Sequence, residues 1–222
     1  VAQASRGVRC SGRQIAIRFS VSPLRAGLDD PPVSFTPPWK QLVIGKRSIL
    51  EDLVIQKLDG EPPFGFDCGR AEQNEFLYER AWDDQQEFLS TTYLFLSDDV
   101  LAAYATVLMD SLSLSRTERG GIPYRHVSAC KVGQLGVDRR FQARGLGRFS
   151  LSYAVALARD VAARIACRYV SLDAQPDLIE WYERFGFTVN RGRQAERIED
   201  ARRHQRDHHA IAVSMRLDLR AL

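Results

Sequence analysis

The sequence predicts an α/β (α+β) domain: a central mixed, mostly antiparallel sheet with helices on both faces. Three observations carry this prediction. Two β-rich runs, Thr91 to Leu96 and Val100 to Leu108, are divided by Asp98-Asp99, a hairpin signature. An apolar, β-capable run over 128–137 empties through a glycine-containing turn into a segment of helical periodicity. Strand-like runs then alternate with helical ones, which favours a sheet whose crossovers cover its faces.

Size and composition suit one large domain or a domain with an appendage, at 222 residues. Hydrophobic residues make up 45% and charged residues 27%, which permits a sizeable core and argues against a disordered chain. The formal net charge of +3 says little about partners. No apolar run approaches the roughly 20 residues that span a bilayer, so no membrane partner is expected. Cys10, Cys68, Cys130 and Cys167 are far apart and form no C-x-x-C pair. That excludes a zinc or redox motif, and reduced thiols in a cytoplasmic protein are the expectation.

Residues 1–48 differ from the remainder. They carry Arg6, Arg9, Arg13, Arg18 and Arg25 with no acid before Asp29, then Pro31-Pro32 and Pro37-Pro38. A transit peptide shares that composition. The plainer expectation is a weakly ordered N-terminal extension preceding a domain at 49–222. Leu50 to Leu58 alternates as a strand, and Gly60-Glu61-Pro62-Pro63 ends it. Arg70 to Leu89 lacks Gly and Pro and lines up Phe76, Leu77, Tyr78, Ala81 and Trp82 on a helical stripe, with Asp67 placed to cap it. Ser111 to Gly121 is polar with some helical character. After the central helix, which reaches Ala166, Tyr169 to Ala174 reads as a buried strand and Pro176 to Arg184 as a short helix closed by Gly186. Phe187-Thr188-Val189 begins another strand, Arg191 to His209 is highly charged, and Ala210 to Leu219 alternates as the last strand.

The turn after Val137 holds the chemistry. Gln142-Ala143-Arg144-Gly145-Leu146-Gly147 has a Q-x-x-G-x-G pattern opening a helix. Unpaired N–H groups and the helix dipole make such a terminus an anion site, and glycine lets a phosphate approach the backbone. Dinucleotide binding of the Rossmann type wants a third glycine and an acid about 20 residues on. A Walker A loop wants Gly-Lys-Ser/Thr. Neither is present.

With Gln142, Gly145 and Gly147 after a strand, and Trp181-Tyr182-Glu183-Arg184-Phe185-Gly186-Phe187 downstream, the sequence resembles the GNAT (Gcn5-related) N-acetyltransferases over about 50–219. Phe66-Asp67-Cys68-Gly69, Asn74-Glu75-Phe76-Leu77 and Ala81 resemble the branch that includes toxins acetylating aminoacyl-tRNA. The resemblance implies acetyl-CoA as cosubstrate, without a metal. It implies pantetheine bonded to the backbone at Leu135, Gly136 and Val137, and pyrophosphate on the amides of Gln142, Ala143, Arg144, Gly145, Leu146, Gly147 and Arg148. The Arg144 and Arg148 side chains can add charge-assisted contacts. Gln175 stands where many relatives have a cofactor-contacting Asn. The acceptor is a small-molecule or aminoacyl amine, with tRNA as partner if the chain is toxin-like; a homodimer is compatible with the family.

Acetyl transfer to an amine needs a neutral amine, a polarised thioester carbonyl and a proton for the leaving thiolate. The resemblance makes Tyr182 the general acid, protonated at neutral pH, and a strand N–H, that of Val137, the oxyanion donor. Many relatives place a carboxylate on the strand before the turn, but 129–137 has none. That leaves Asp110, Glu118 and His126 as candidate bases, or no base. An α-amine, of pKa about 7.7–8.0, needs less help than lysine near 10.4. The same gap also fits a non-catalytic CoA-binding or interaction module. Arg191, Arg193, Arg197, Arg202, Arg203 and Arg206 suit an RNA-facing surface, yet Glu196, Glu199, Asp200 and Asp207 interleave with them as in a solvated, salt-bridged face. His204, His208 and His209 lack the partners of a metal site.

Overall fold

The computed structural model of the chain describes residues 50, 53–203 and 212–222. The proposed extension at 1–48 lies outside the described residues, as do His204, Arg206, Asp207, His208 and His209. The described residues build one seven-stranded sheet in the order β1-β2-β3-β4-β5-β7-β6. β1 (Val54–Lys57), β2 (Thr91–Ser97), β3 (Val100–Ser113) and β4 (His126–Val137) pair antiparallel in sequence. β5 (Tyr169–Ala174) runs parallel to β4, because the chain between them is a crossover helix, α3 (Leu146–Ile165). β7 (Val213–Asp218) pairs antiparallel with both β5 and the short β6 (Thr188–Val189). The sheet is therefore mixed and mostly antiparallel, as the sequence predicts. The β2–β3 turn follows its signature: Asp98 and Asp99 sit at φ 49° and 61°, the left-handed pair that a tight hairpin requires and Asp tolerates.

Alternation along β3 assigns the two faces. Ala103 and Ala105 pack in one apolar cluster with Leu146 of α3, while Tyr104 packs on the opposite side with Phe76, Leu77 and Ala81. α3 buries Leu146, Ser150, Leu151, Ala154 and Ala158, the three-and-four spacing of one helical stripe. The other face receives α1 (Ala71–Glu75), a π-helical turn at Phe76–Arg80, and α2 (Ala81–Gln86). The wider turn brings Phe76, Leu77 and Ala81 onto the sheet together, with Leu77 and Ala81 fully buried.

Four differences from the sequence expectations stand out. The first helical segment ends at Gln86 rather than Leu89, since Phe88 turns to φ 58°. Asp67 does not cap it; its Oδ1 accepts from Gly69 N and Asn74 Nδ2, both at 2.8 Å, and so shapes the loop before the helix. Arg191–Arg203 is a helix, α5, which the sequence hides because it carries no apolar stripe. β3 is also longer than predicted. Its last residue, Ser113, pairs with His126, which takes the start of the segment read as polar and partly helical into the sheet.

Candidate active site

The site begins where two strands part. β4 and β5 are paired only from Ala129↔Tyr169 to Val132↔Leu172, yet β4 continues to Val137 and β5 to Ala174. β3 stays with β4 throughout, and β7 stays with β5, so a fork opens in mid-sheet. At the crotch is a bulge: Val107 pairs with Val132 and Thr106 with Gln134, leaving Gly133 as the extra residue. A Cβ on Gly133 would lie 2.8 Å from Leu108 Cδ2, so a larger residue there would displace the Leu108 side chain. The bulge also resets which side chains face α3. Cys130 and Val132 do so before it, Leu135 and Val137 after it.

Backbone alternation then decides what the fork offers. Asp138 N donates to Ala102 O at 2.9 Å, which makes 138/102 and, two residues back, 136/104 the hydrogen-bonded pairs of the antiparallel ladder. Leu135 and Val137 therefore turn their amide and carbonyl groups toward the side that β5 has left. Such groups need a partner or solvent. The Val137 carbonyl has one: Gln142 Nε2 donates to it at 2.9 Å and also to Cys68 O at 3.0 Å. The Gln142 side chain is thus turned inward as a tie, and only its backbone remains for an anion.

The turn is fastened from below. Asp138 is 1% exposed and accepts from Arg140 N (2.9 Å), Arg140 Nε (2.8 Å), Arg140 Nη2 (2.9 Å) and Asp67 N (3.1 Å). Burial alone would push its carboxyl up, but these donors hold it below the usual carboxylate range. Ala143 and Gly145 follow at φ 59° and 87°, and Gly145 caps a helix of 20 residues. The cradle therefore ends in the unpaired N–H groups of a long helix's first turn. Arg144 and Arg148 lie over the rings of Phe141 and Phe185, each at 5.8 Å.

Tyr182 reaches this place from the other arm of the fork. It lies on α4 (Ile179–Glu183), 8% exposed, with ring contacts to Trp181 at 4.8 Å and Phe187 at 5.9 Å. Burial pushes its phenol up to about 12, against a smaller opposing pull from the Arg70 guanidinium, so it is protonated at neutral pH. Its hydroxyl makes no hydrogen bond among the described residues. Trp181 abuts the first turn of α3, since a Cβ on Gly147 would sit 3.7 Å from Trp181 Cζ2 and 3.6 Å from Val137 Cγ2. α4, α3 and the end of β4 thus meet at one point. Gln175 flanks that point half-buried; its carbonyl accepts from Leu178 N at 2.9 Å and its side chain caps nothing.

The model of the acetyltransferase (GNAT) family matches residues 55–187. The chain belongs to the GNAT acetyltransferase family. Solved structures agree on the fold. A mutant of KacT is 18% identical, covers 77% of this chain and 96% of its own, and superposes with a TM-score of 0.62. AtaTR bound with acetyl-CoA is 18% identical over 77% and 96%, TM-score 0.61. AtaT complexed with acetyl-methionyl-tRNAfMet is 20% identical over 62% and 88%, TM-score 0.57. The enzyme is therefore an acyltransferase, and no helix among its described residues is long and apolar enough to cross a membrane.

In this GNAT fold the three candidate bases are engaged elsewhere. Glu118 caps α5 by accepting from Arg191 N (2.7 Å) and Gly192 N (2.9 Å), and it pairs with Arg216. Burial raises its carboxyl, but these donors and Ser115 bring it down to about 2. Asp110 accepts from Ser171 Oγ at 3.0 Å and Arg193 at 3.2 Å. His126 is exposed at the far end of β4, beside Ser113 Oγ at 3.2 Å. Sequence reasoning missed Arg70, whose guanidinium meets Asp177 at 2.6 Å across the fork's mouth. It also missed Asp173, which pairs with Lys131 at 2.6 Å and Arg197 at 2.5 Å. A lone Asp in an otherwise buried strand was the available signal. The two arginines from the charged segment, Arg193 and Arg197, are thus turned onto the sheet, while Glu196 pairs with Arg125 at 2.7 Å and Arg203 with Glu199 at 3.2 Å.

Proposed function

We propose that this enzyme transfers acetyl from acetyl-CoA to a primary amine by direct attack of the amine on the thioester. One observation carries the reading: β4 and β5 part at Val132, which leaves the Leu135 and Val137 backbone facing an opening that leads to the first turn of α3. The residues fit the cosubstrate. An extended pantetheine arm can complete the broken ladder at Leu135 and Val137, and the amides of 142–148 can take the pyrophosphate, with Arg144 and Arg148 beside them. Acetyl-CoA supplies the activated thioester. With the arm running from the turn past Val137 toward the crotch, Leu135 N–H is the strand donor for the developing oxyanion, and Tyr182, kept protonated by burial, gives its proton to the departing sulfur. Gly136 supports this arrangement from behind: its missing Cβ leaves room for the Tyr104 ring, 2.6 Å from where that atom would be.

For the acceptor, the reading best supported is an α-amine carried on tRNA. AtaT has been solved with acetyl-methionyl-tRNAfMet, and relatives of this fold include tyrosine-to-phenylalanine mutants of KacT and AtaT. β4 itself offers no carboxylate to deprotonate a lysine. Titration calorimetry with CoA and acetyl-CoA tests the donor half: one-site binding is expected, and no heat at millimolar ligand would end the proposal. Incubation with acetyl-CoA and a charged tRNA pool tests the acceptor half, read as acetylated aminoacyl ends.

A further inference from the structure

The face of the fork away from α3 is lined with paired charge. Lys131 lies on β4 one residue before the last β4–β5 pair, and Asp173 on β5 one residue after it. Lys131 Nζ is 2.6 Å from Asp173 Oδ2, and Arg197 Nη2 reaches the same oxygen from α5 at 2.5 Å. Arg197 also donates to Ala212 O at 3.0 Å. One strand over, Asp110 accepts from Ser171 Oγ and from Arg193 Nη1. The Lys131, Asp173 and Asp110 side chains are only 19%, 20% and 14% exposed, so solvent screens them weakly. Further along this face Arg216 is neutralised by Glu118. In these pairings at the fork three cations, Lys131, Arg193 and Arg197, share two carboxylates, Asp110 and Asp173, a surplus of one positive charge within the cluster. Burial pushes the Asp173 carboxyl up, but Lys131 and Arg197 hold it below the usual range. A carboxylate so held is a poor base near neutrality.

We propose that the Lys131–Asp173–Arg197 cluster is the acceptor-side positioning device of this enzyme, its surplus positive charge keeping the bound amine unprotonated so that no general base is needed. The proposal rests on the acetyltransferase reading above. An ammonium entering the fork meets like charge, whereas the neutral amine does not. The cluster therefore selects amines already near neutrality, such as an α-amine at about 7.7–8.0, over a lysine side chain near 10.4. In the transfer the nitrogen lone pair forms the C–N bond and the C–S bond breaks. The thiolate takes the Tyr182 proton, the nitrogen loses its extra proton to water, and Tyr182 is reprotonated from solvent.

The test is the pH dependence of kcat for acetyl transfer to charged tRNA and to methioninamide. Its acid limb reports the amine inside the complex. Lys131→Met should move that limb up by about one pH unit, while Lys131→Arg, which keeps the charge, should leave it in place. Asp173→Asn leaves two unopposed cations and should move the limb down. A purely structural role would lower stability or kcat without moving the limb, and that result overturns the proposal. So does loss of both activity and limb in a folded Asp173→Asn, which would make Asp173 the base. Should Asp173→Asn fail to fold, Lys131→Met against Lys131→Arg decides. Wild type that acetylates neither amine refutes the acceptor reading and this inference with it; transfer with unmoved limbs refutes the inference alone.

Discussion

The two helices that flank the fork are attached by opposite means. α3 lies on the sheet through Leu146, Leu151, Ala154 and Ala158, an apolar stripe, and presents its N-terminal backbone to the opening. α5 is held by polar clips: Arg193 to Asp110, Arg197 to Asp173, Gln194 Oε1 accepting from Ser214 N at 2.9 Å, and Glu118 on its first amides. Its Gly192 rides directly on backbone, where a Cβ would be 2.6 Å from Ser113 O. The donor side is thus built from main chain and shape, the acceptor side from side-chain charge. A site for a constant cosubstrate gains from the first, since backbone groups change little with sequence. A site that must suit one acceptor gains from the second, since each ion pair can be altered singly.

The comparison can be broken first at the chemistry. Tyr182→Phe keeps the buried ring and removes the proton, so kcat should fall by about 10²–10⁴-fold with little change in acetyl-CoA binding; steady-state kinetics with an unchanged kcat would remove Tyr182 as the acid. The next largest effect lies on the α5 side. Glu118→Gln leaves Arg216 without its carboxylate partner and should cost about 3 kcal/mol in urea unfolding at pH 7. The sign with pH follows from a folded-state value depressed to about 2 from an ordinary 4.5. The difference from wild type should be full above about pH 4.5 and shrink as pH falls toward 2. A constant difference down to pH 3 would show that the carboxylate charge is not what holds α5.

The α3 side breaks through shape. Gly136→Ala places a Cβ 2.6 Å from Tyr104 Cε1 and 3.1 Å from Phe66 Cζ. The overpacking should cost about 1–3 kcal/mol and raise the KM for acetyl-CoA, because the displaced strand carries Leu135 and Val137; an unaltered KM would separate strand position from donor binding. The smallest effect belongs to the strap at the mouth. Arg70 and Asp177 are 42% and 62% exposed, so Asp177→Asn should change stability by no more than about 1 kcal/mol. A larger loss would mean that the strap, rather than the packing of Trp181 on α3, joins the two arms.

The same contrast explains what could be read from the sequence. The β2–β3 hairpin, α3 and the glycine turn follow local rules of period and turn chemistry, and so did the strand–turn–helix order that pointed to the family. Tyr182 was legible because its motif is contiguous. The fork was not, since the parting of β4 from β5 is a property of two strands whose last partners, Val132 and Leu172, lie 40 residues apart in the chain. The Q-x-x-G-x-G pattern points to the Gln142 amide as an anion donor but does not reveal that its side chain ties Val137 to Cys68. Asp173, Lys131 and Arg197 come from three elements and carry no shared pattern. α5 itself, without an apolar stripe, gave no helical period to find.

Amide hydrogen exchange, with and without acetyl-CoA, tests the central claim most directly. If the cosubstrate replaces β5 as the partner of β4, the amides of Leu135 and Val137 and those of the first turn of α3 should be strongly protected on binding, while Gly136, already bonded to β3, should change little. Binding that leaves Leu135 and Val137 exchanging as before would contradict the placement of the donor in the fork.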